Sequence, residues 1–183
     1  MDRNWASLDA RPGWLRLNGR ESLYSKHRQS LLARRITHLQ TGASCAVDFV
    51  PTSFQQLAGL IFYYDTTNYH YLRITCDGGQ RTVGIITCDG GDHTEDAAVE
   101  TPLPSAGTVF LKGELDGAAL QFFFSMTGDD WTAVGPVLDA TILSDEHKTE
   151  GKFTGAFAGI CVQDLTGGGF CADFDWFELF KMT

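Results

Sequence analysis

The segment Phe54-Gln-Gln-Leu-Ala-Gly-Leu-Ile-Phe-Tyr-Tyr-Asp-Thr-Thr-Asn-Tyr-His-Tyr-Leu-Arg73 constrains the fold of this chain more than any other stretch. Residues 57–64 are a nearly unbroken apolar and aromatic run, Asp65-Thr-Thr-Asn68 is polar, and Tyr69 to Thr75 alternates. Aromatic and β-branched residues on either side of an Asp/Asn-rich connection predict a β-hairpin. The first strand is apolar on both faces, so it should be central in a sheet and covered on both sides. The same pattern recurs along the chain. Strands are expected at Trp14 to Gly19 (ending in an Asn-Gly turn signal), Ala43 to Val50 (stopped by Pro51) and Thr82 to Cys88. Thr108 to Leu115 and Ala119 to Ser125 flank Asp116-Gly117, a strong hairpin signal. Phe157 to Val162 and Phe170 to Phe180 lie either side of Gly167-Gly-Gly169. Ser30 to Ile36 is ambiguous, and the one helix-like stretch is short, near Leu143 to His147.

Ten or more strands at hairpin spacing, without a linker or internal repeat, predict one antiparallel two-sheet β-sandwich domain over residues 1–183. A jelly-roll is the expected topology. The 20 glycines and 13 phenylalanines suit tight turns and a well-filled core. No apolar stretch is long enough for a membrane helix, and the first residues lack the apolar run of a signal peptide. Five cysteines, an odd number without regular spacing, argue against a disulfide framework and for a reduced, cytoplasmic setting.

Charge is unevenly spread. Residues 1–47 hold eight of the 14 Lys and Arg against three acids, a local +5, which leaves −14 for the remainder. Either the basic segment docks on an acidic surface, or its arginines pair with acids of the same fold. Nucleic acid is not an expected partner, because no recognition motif is present and the acidic remainder repels phosphate.

The candidate acids for glycoside chemistry are Glu21, Asp48, Glu114, Asp164, Asp173, Asp175 and Glu178. Such chemistry requires two carboxyl groups about 5–10 Å apart, one kept protonated. Asp173 and Asp175 share a strand face at i, i+2. Simple alternation accounts equally for them by turning the acids outward and Phe174 and Trp176 inward. A structural calcium ion, held by Glu21 with Asp173 or Asp175, is the one cofactor these residues suggest. No spacing supports zinc, a nucleophilic serine or a phosphate loop. His70, between two tyrosines, reads as a strand-pairing residue.

Several segments together resemble the C-terminal concanavalin A-like domain of family 43 β-xylosidases. They are Arg11 to Ser22, Ser30 to Arg35, Pro51 to Leu60, Tyr63 to Leu72, Phe153 to Gly159, Gln163-Asp164 and Ala172 to Phe177. They follow one order over nearly the whole chain. The resemblance implies a sandwich that packs against a five-bladed catalytic β-propeller, which these residues do not contain. The implied activity is hydrolysis of xylo-oligosaccharides, of the β-1,4-xylosidase or α-L-arabinofuranosidase type, with inversion. It places none of the family's catalytic acids on this chain. It implies instead that a sandwich loop closes one side of the substrate pocket, with Phe153 as the aromatic contact and Phe157 as its core neighbour. Phe153 follows the polar run Ser144 to Gly151, which suits a loop tip, although capping of the core would also explain it.

Two other functions stay open on the residues alone. A free carbohydrate-binding module would stack sugars on Tyr63, Tyr69, Tyr71 or Trp131. A self-sufficient glycosidase would rely on Asp173 and Asp175. Self-association into a homo-oligomer is compatible with all three.

Overall fold

A computed structural model describes residues 4–147 and 153–182. It is built of strands, with short 3-10 turns at Ala97–Val99 and Ala140–Leu143 and no α-helix among the described residues. The strands are β1 (Ala6–Ser7), β2 (Leu15–Asn18), β3 (Ser30–Arg35), β4 (Gln40–Asp48), β5 (Gln56–Asp65), β6 (Asn68–Asp77) and β7 (Gln80–Asp89). They continue as β8 (Asp92–Glu95), β9 (Thr101–Pro102), β10 (Thr108–Asp116), β11 (Ala119–Ser125), β12 (Thr132–Asp139), β13 (Phe157–Asp164) and β14 (Cys171–Lys181). One sheet has the order β1-β2-β14-β4-β10-β11-β12. The other runs β3-β13-β5-β6-β7-β8, with β9 also paired to β7.

The expected hairpin is β5–β6, in the middle of the second sheet. Its turn is closed by Asp65, whose Oδ1 accepts from the Thr67 backbone N–H at 2.8 Å. Strand periodicity then sorts the side chains. Ala58, Leu60, Phe62 and Tyr64 point between the sheets, where they meet Val47, Leu111, Phe122 and Phe174 in the main core. Phe62 and Phe122 pack edge to face with centroids 5.8 Å apart, a favoured aromatic geometry. Leu57 and Ile61 point the other way and join Leu23, Tyr69, Tyr71, Ile86, Cys88 and Cys161 in a second, outer cluster. The cover demanded for that face comes from the segment between β2 and β3. Leu23 is inserted there, and its N–H donates to Gln163 Oε1 at 3.1 Å.

Two expectations shift. The short helical element lies at Ala140–Leu143, ahead of the expected position, because Asp139 caps it by accepting from the Thr141 N–H. Ser30–Arg35 resolves as an edge strand on β13.

Candidate functional site

Asp173 and Asp175, which could converge or simply alternate outward on the residues alone, are separated by a β-bulge on β14. Asp173 and Phe174 pair with Asp48 and Val47, but the register slips before Trp176, so Asp175 is the extra residue. Phe174 therefore points into the core, whereas Trp176, expected inside, is 37% exposed on the outer face. There it packs on Phe110 at 6.4 Å. Phe177 and Leu179 take over the inward positions beyond the bulge.

Asp173 is tied down by the basic N-terminal segment. Its oxygens accept from Arg16 Nε at 2.7 Å, Arg16 Nη2 at 2.8 Å and Arg11 Nη1 at 3.2 Å. Arg11 Nη1 also reaches Asp48 Oδ2 at 2.8 Å and stacks over Trp14. Two carboxylates are thus brought together, but around an arginine that both of them bind. The Arg16 hydrogen bonds foremost, with Arg11 behind them, hold the Asp173 carboxyl below the usual carboxylate range despite its partial burial. The carboxyl groups of Asp139, Asp145, Asp164 and Asp173 are all held below the usual carboxylate range. A glycosidic general acid needs the opposite.

The other candidates are engaged locally. Glu21 accepts from Ser25 Oγ at 2.6 Å and faces Arg28 at 3.7 Å. Glu114 pairs with Lys112, and Glu178 accepts from Ser44. Asp164 accepts from the Thr166 and Phe170 N–H groups and so closes the glycine turn. No group of three or more His, Cys, Asp or Glu side chains gathers to hold a metal among the described residues.

Of the aromatic platform candidates, Tyr69 and Tyr71 are buried. Tyr71 donates to the Cys161 carbonyl, and Tyr69 lies 2.7 Å from His93 Nε2 and stacks against Tyr63. Trp131 packs on Lys112, which also contacts Phe123. His70 is buried between Thr87 Oγ1 and the Asp139 carbonyl, and burial lowers its pKa.

Phe153 is different. It is 82% exposed, and its backbone has φ of 47°, a left-handed conformation that disfavours any side chain with a Cβ. It stands just before Gly155 and Ala156, which border an open groove of about 820 Å³ between the sheet ends. Leu39, Leu115, Leu143, Asp145 and His147 line its other walls. Asp145 fixes the stem of the Phe153 segment. It accepts from Tyr64 Oη at 2.7 Å and from the Gly155 N–H at 3.2 Å, and these bonds hold its carboxyl below the usual range. Nothing in the sequence points to Asp145, because Tyr64 lies 81 residues away. Residues 148–151 of the preceding polar run lie outside the described residues. Phe157, expected in the core, occupies the outer face of its sheet beneath Arg35 at 5.1 Å, because Ala158 and Ile160 take the inward positions.

Residues 1–179 match the model of the β-xylosidase C-terminal concanavalin A-like domain. A xylan 1,3-β-xylosidase of Vibrio sp. is 38% identical over 97% of this chain and 34% of its own length. A xylosidase/arabinosidase 43B of Humicola insolens is 39% identical over 90% of this chain and 32% of its own. The crystal structure of a xylan β-1,4-xylosidase from Bacillus halodurans C-125 superposes with a TM-score of 0.94 at 40% identity, covering all of this chain and 35% of that one. The chain thus spans about a third of the length of the relatives it matches, which are larger proteins. With its two antiparallel sheets and bulged, arginine-clamped β14, this chain belongs to the family of β-xylosidase C-terminal concanavalin A-like domains.

Proposed function

We propose that this chain is the accessory β-sandwich of a family 43 glycosidase. It packs on a catalytic β-propeller and completes the pocket in which xylo-oligosaccharides are hydrolysed. The observation that carries this reading is Phe153. A large aromatic side chain held outward in a left-handed backbone conformation is unfavourable twice over within the sandwich itself. A surface that receives the ring offsets both costs, and a sugar ring with its apolar C–H face is such a surface. The Asp145 bonds to Tyr64 and Gly155 tie the segment to the core, so the ring is presented from a fixed stem. In this role the sandwich supplies positioning, while proton transfer belongs to the propeller. The downward displacement of the sandwich carboxyl groups agrees with that division.

The test is reconstitution. The chain is mixed with a separately produced family 43 propeller, and complex formation and turnover of a nitrophenyl xyloside are measured. The complex should hydrolyse the substrate faster than the propeller alone, and the chain by itself should not. Phe153→Ala should lower kcat/KM about tenfold or more, as expected when substrate positioning is lost, and leave complex formation intact. Absence of both a complex and a gain in turnover would overturn the proposal.

A further inference from the structure

A second cleft lies on the outer face of the β3–β8 sheet, at the end of β5 away from Phe153. Leu57 and Tyr63 mark the two ends of that face of β5, roughly 20 Å apart at the rise of a strand. The cleft has a volume of about 640 Å³ and is bordered by Phe54, Arg73, Asp77, Thr82, Glu95 and Glu100. Its floor is made by sequence. Arg73 pairs with Gly59 on β5 and Gly84 on β7, so the guanidinium lies along the sheet with a glycine on either side. A Cβ on Gly84 would come within 2.2 Å of Glu100 Oε1, so this glycine makes room for the carboxylate. Arg73 Nη2 donates to Glu100 Oε1 at 2.6 Å and to Glu95 Oε2 at 2.8 Å, and Nη1 donates to Glu100 Oε2 at 3.0 Å.

Two polar groups of this cleft are left over. Arg73 and Thr82 are only 4% and 9% exposed, yet Arg73 Nε and Thr82 Oγ1 have no hydrogen-bond partner among the described residues. Buried polar groups are ordinarily paired, so each asks for a partner. The Phe54 ring stands at the rim, 65% exposed. Its turn is fixed by Thr75 Oγ1, which donates to the Gln56 carbonyl at 2.9 Å, and by the Thr52 N–H on Gln56 Oε1 at 2.8 Å.

We propose that this cleft is a second saccharide site, distinct from the Phe153 end, that takes a neutral pyranose of an oligosaccharide. Three carboxylates around one arginine give the site a net charge of −2, which repels phosphates and uronic acids. An ammonium or guanidinium group has donors only, and would leave the Arg73 Nε–H unpaired. A sugar hydroxyl both donates and accepts. It can give its proton to Glu95 or Glu100, and its oxygen can receive Thr82 or Arg73 once these side chains, whose unpaired atoms are sealed from solvent, turn toward the cleft. The apolar face of the pyranose then covers the Phe54 ring. The choice of xylo-oligosaccharides as probe rests on the proposed function, but the geometry and charge of the cleft do not.

The experiment is titration of the 183-residue chain with xylotetraose, read by calorimetry and by backbone amide NMR shifts. Shifts should concentrate at residues 54–57, 73–77, 82–84 and 95–100. Phe54→Ala should weaken binding by about tenfold. The isosteric Thr82→Val, which removes only the hydroxyl, should weaken it by about threefold or more, and Phe153→Ala should leave it unchanged. Retained affinity in both cleft variants, or loss of binding in Phe153→Ala alone, would overturn the site. So would shifts of the cleft residues on addition of a lysine-rich peptide and none with the sugar. Failure here leaves the role of Phe153 standing, because that role is read by turnover in the reconstituted complex.

Discussion

At the scale of single residues, the same side-chain type has opposite fates according to what surrounds it. Asp173 could be read as a catalytic acid, yet it is the acceptor of a two-arginine clamp and is held ionised. Asp173→Asn should lower stability by about 2 kcal/mol in urea denaturation, since Arg16 and Arg11 lose a charged partner that is mostly buried. The pH dependence has a definite sign. The folded pKa lies below the unfolded value of about 3.9, so the clamp stabilises fully above that pH and is lost as pH falls through the folded pKa. Between about pH 5 and pH 2 the urea midpoint of the parent chain should therefore fall more steeply than that of Asp173→Asn. Phe153 is the converse case. Phe153→Gly should leave stability unchanged or raise it by up to about 1 kcal/mol, because glycine relieves the left-handed strain and the ring it removes is mostly exposed. A clear loss of stability in that variant would mean that the ring caps the core.

At the scale of elements, alternation reads correctly until a strand departs from it. β10 alternates throughout, and its inward residues Val109, Leu111, Gly113 and Leu115 are buried as the pattern predicts. Gly113 is there because of its neighbours: a Cβ would lie 2.4 Å from the Phe62 ring and 3.0 Å from Phe122. Gly113→Ala should destabilise by about 1–3 kcal/mol through overpacking, measured by urea denaturation, with the near-ultraviolet signal of the aromatic pair altered. On β14 the bulge at Asp175 defeats the same reading and moves Trp176 to the surface. Nothing in Asp173-Phe-Asp-Trp-Phe announces an unpaired residue, because a bulge is set by the register of the neighbouring strand.

At the scale of the whole molecule, the outer face of β5 and β6 is closed by chain that precedes both strands in sequence. Leu23 plugs the second cluster, and the segment is anchored by Gln29 Nε2 on the Leu23 carbonyl and by Ser30 Oγ on the Asn18 carbonyl. Leu23→Ala should cost about 2–4 kcal/mol, whereas Leu8→Ala, at an exposed position, should change stability by less than about 0.5 kcal/mol. Thermal denaturation of the two variants side by side checks this. The same segment answers the charge asymmetry in part: Arg11 and Arg16 of the basic stretch are paired with Asp48 and Asp173 of the same fold.

The sequence by itself determined the strand class, the central hairpin and the two-faced burial of β5, because these depend on local alternation and on residue chemistry at fixed spacing. It also carried the family, through segments spread along nearly the whole chain. Tertiary structure alone decided which acids meet arginine, where β14 slips, and that Asp145 and Tyr64 secure the stem of the Phe153 segment. It alone assembled the Arg73–Glu100 cleft from β6 and the connection that follows β8. These outcomes depend on contacts between residues far apart in sequence, which no local pattern encodes. They are set only when two sheets of fixed register are packed face to face.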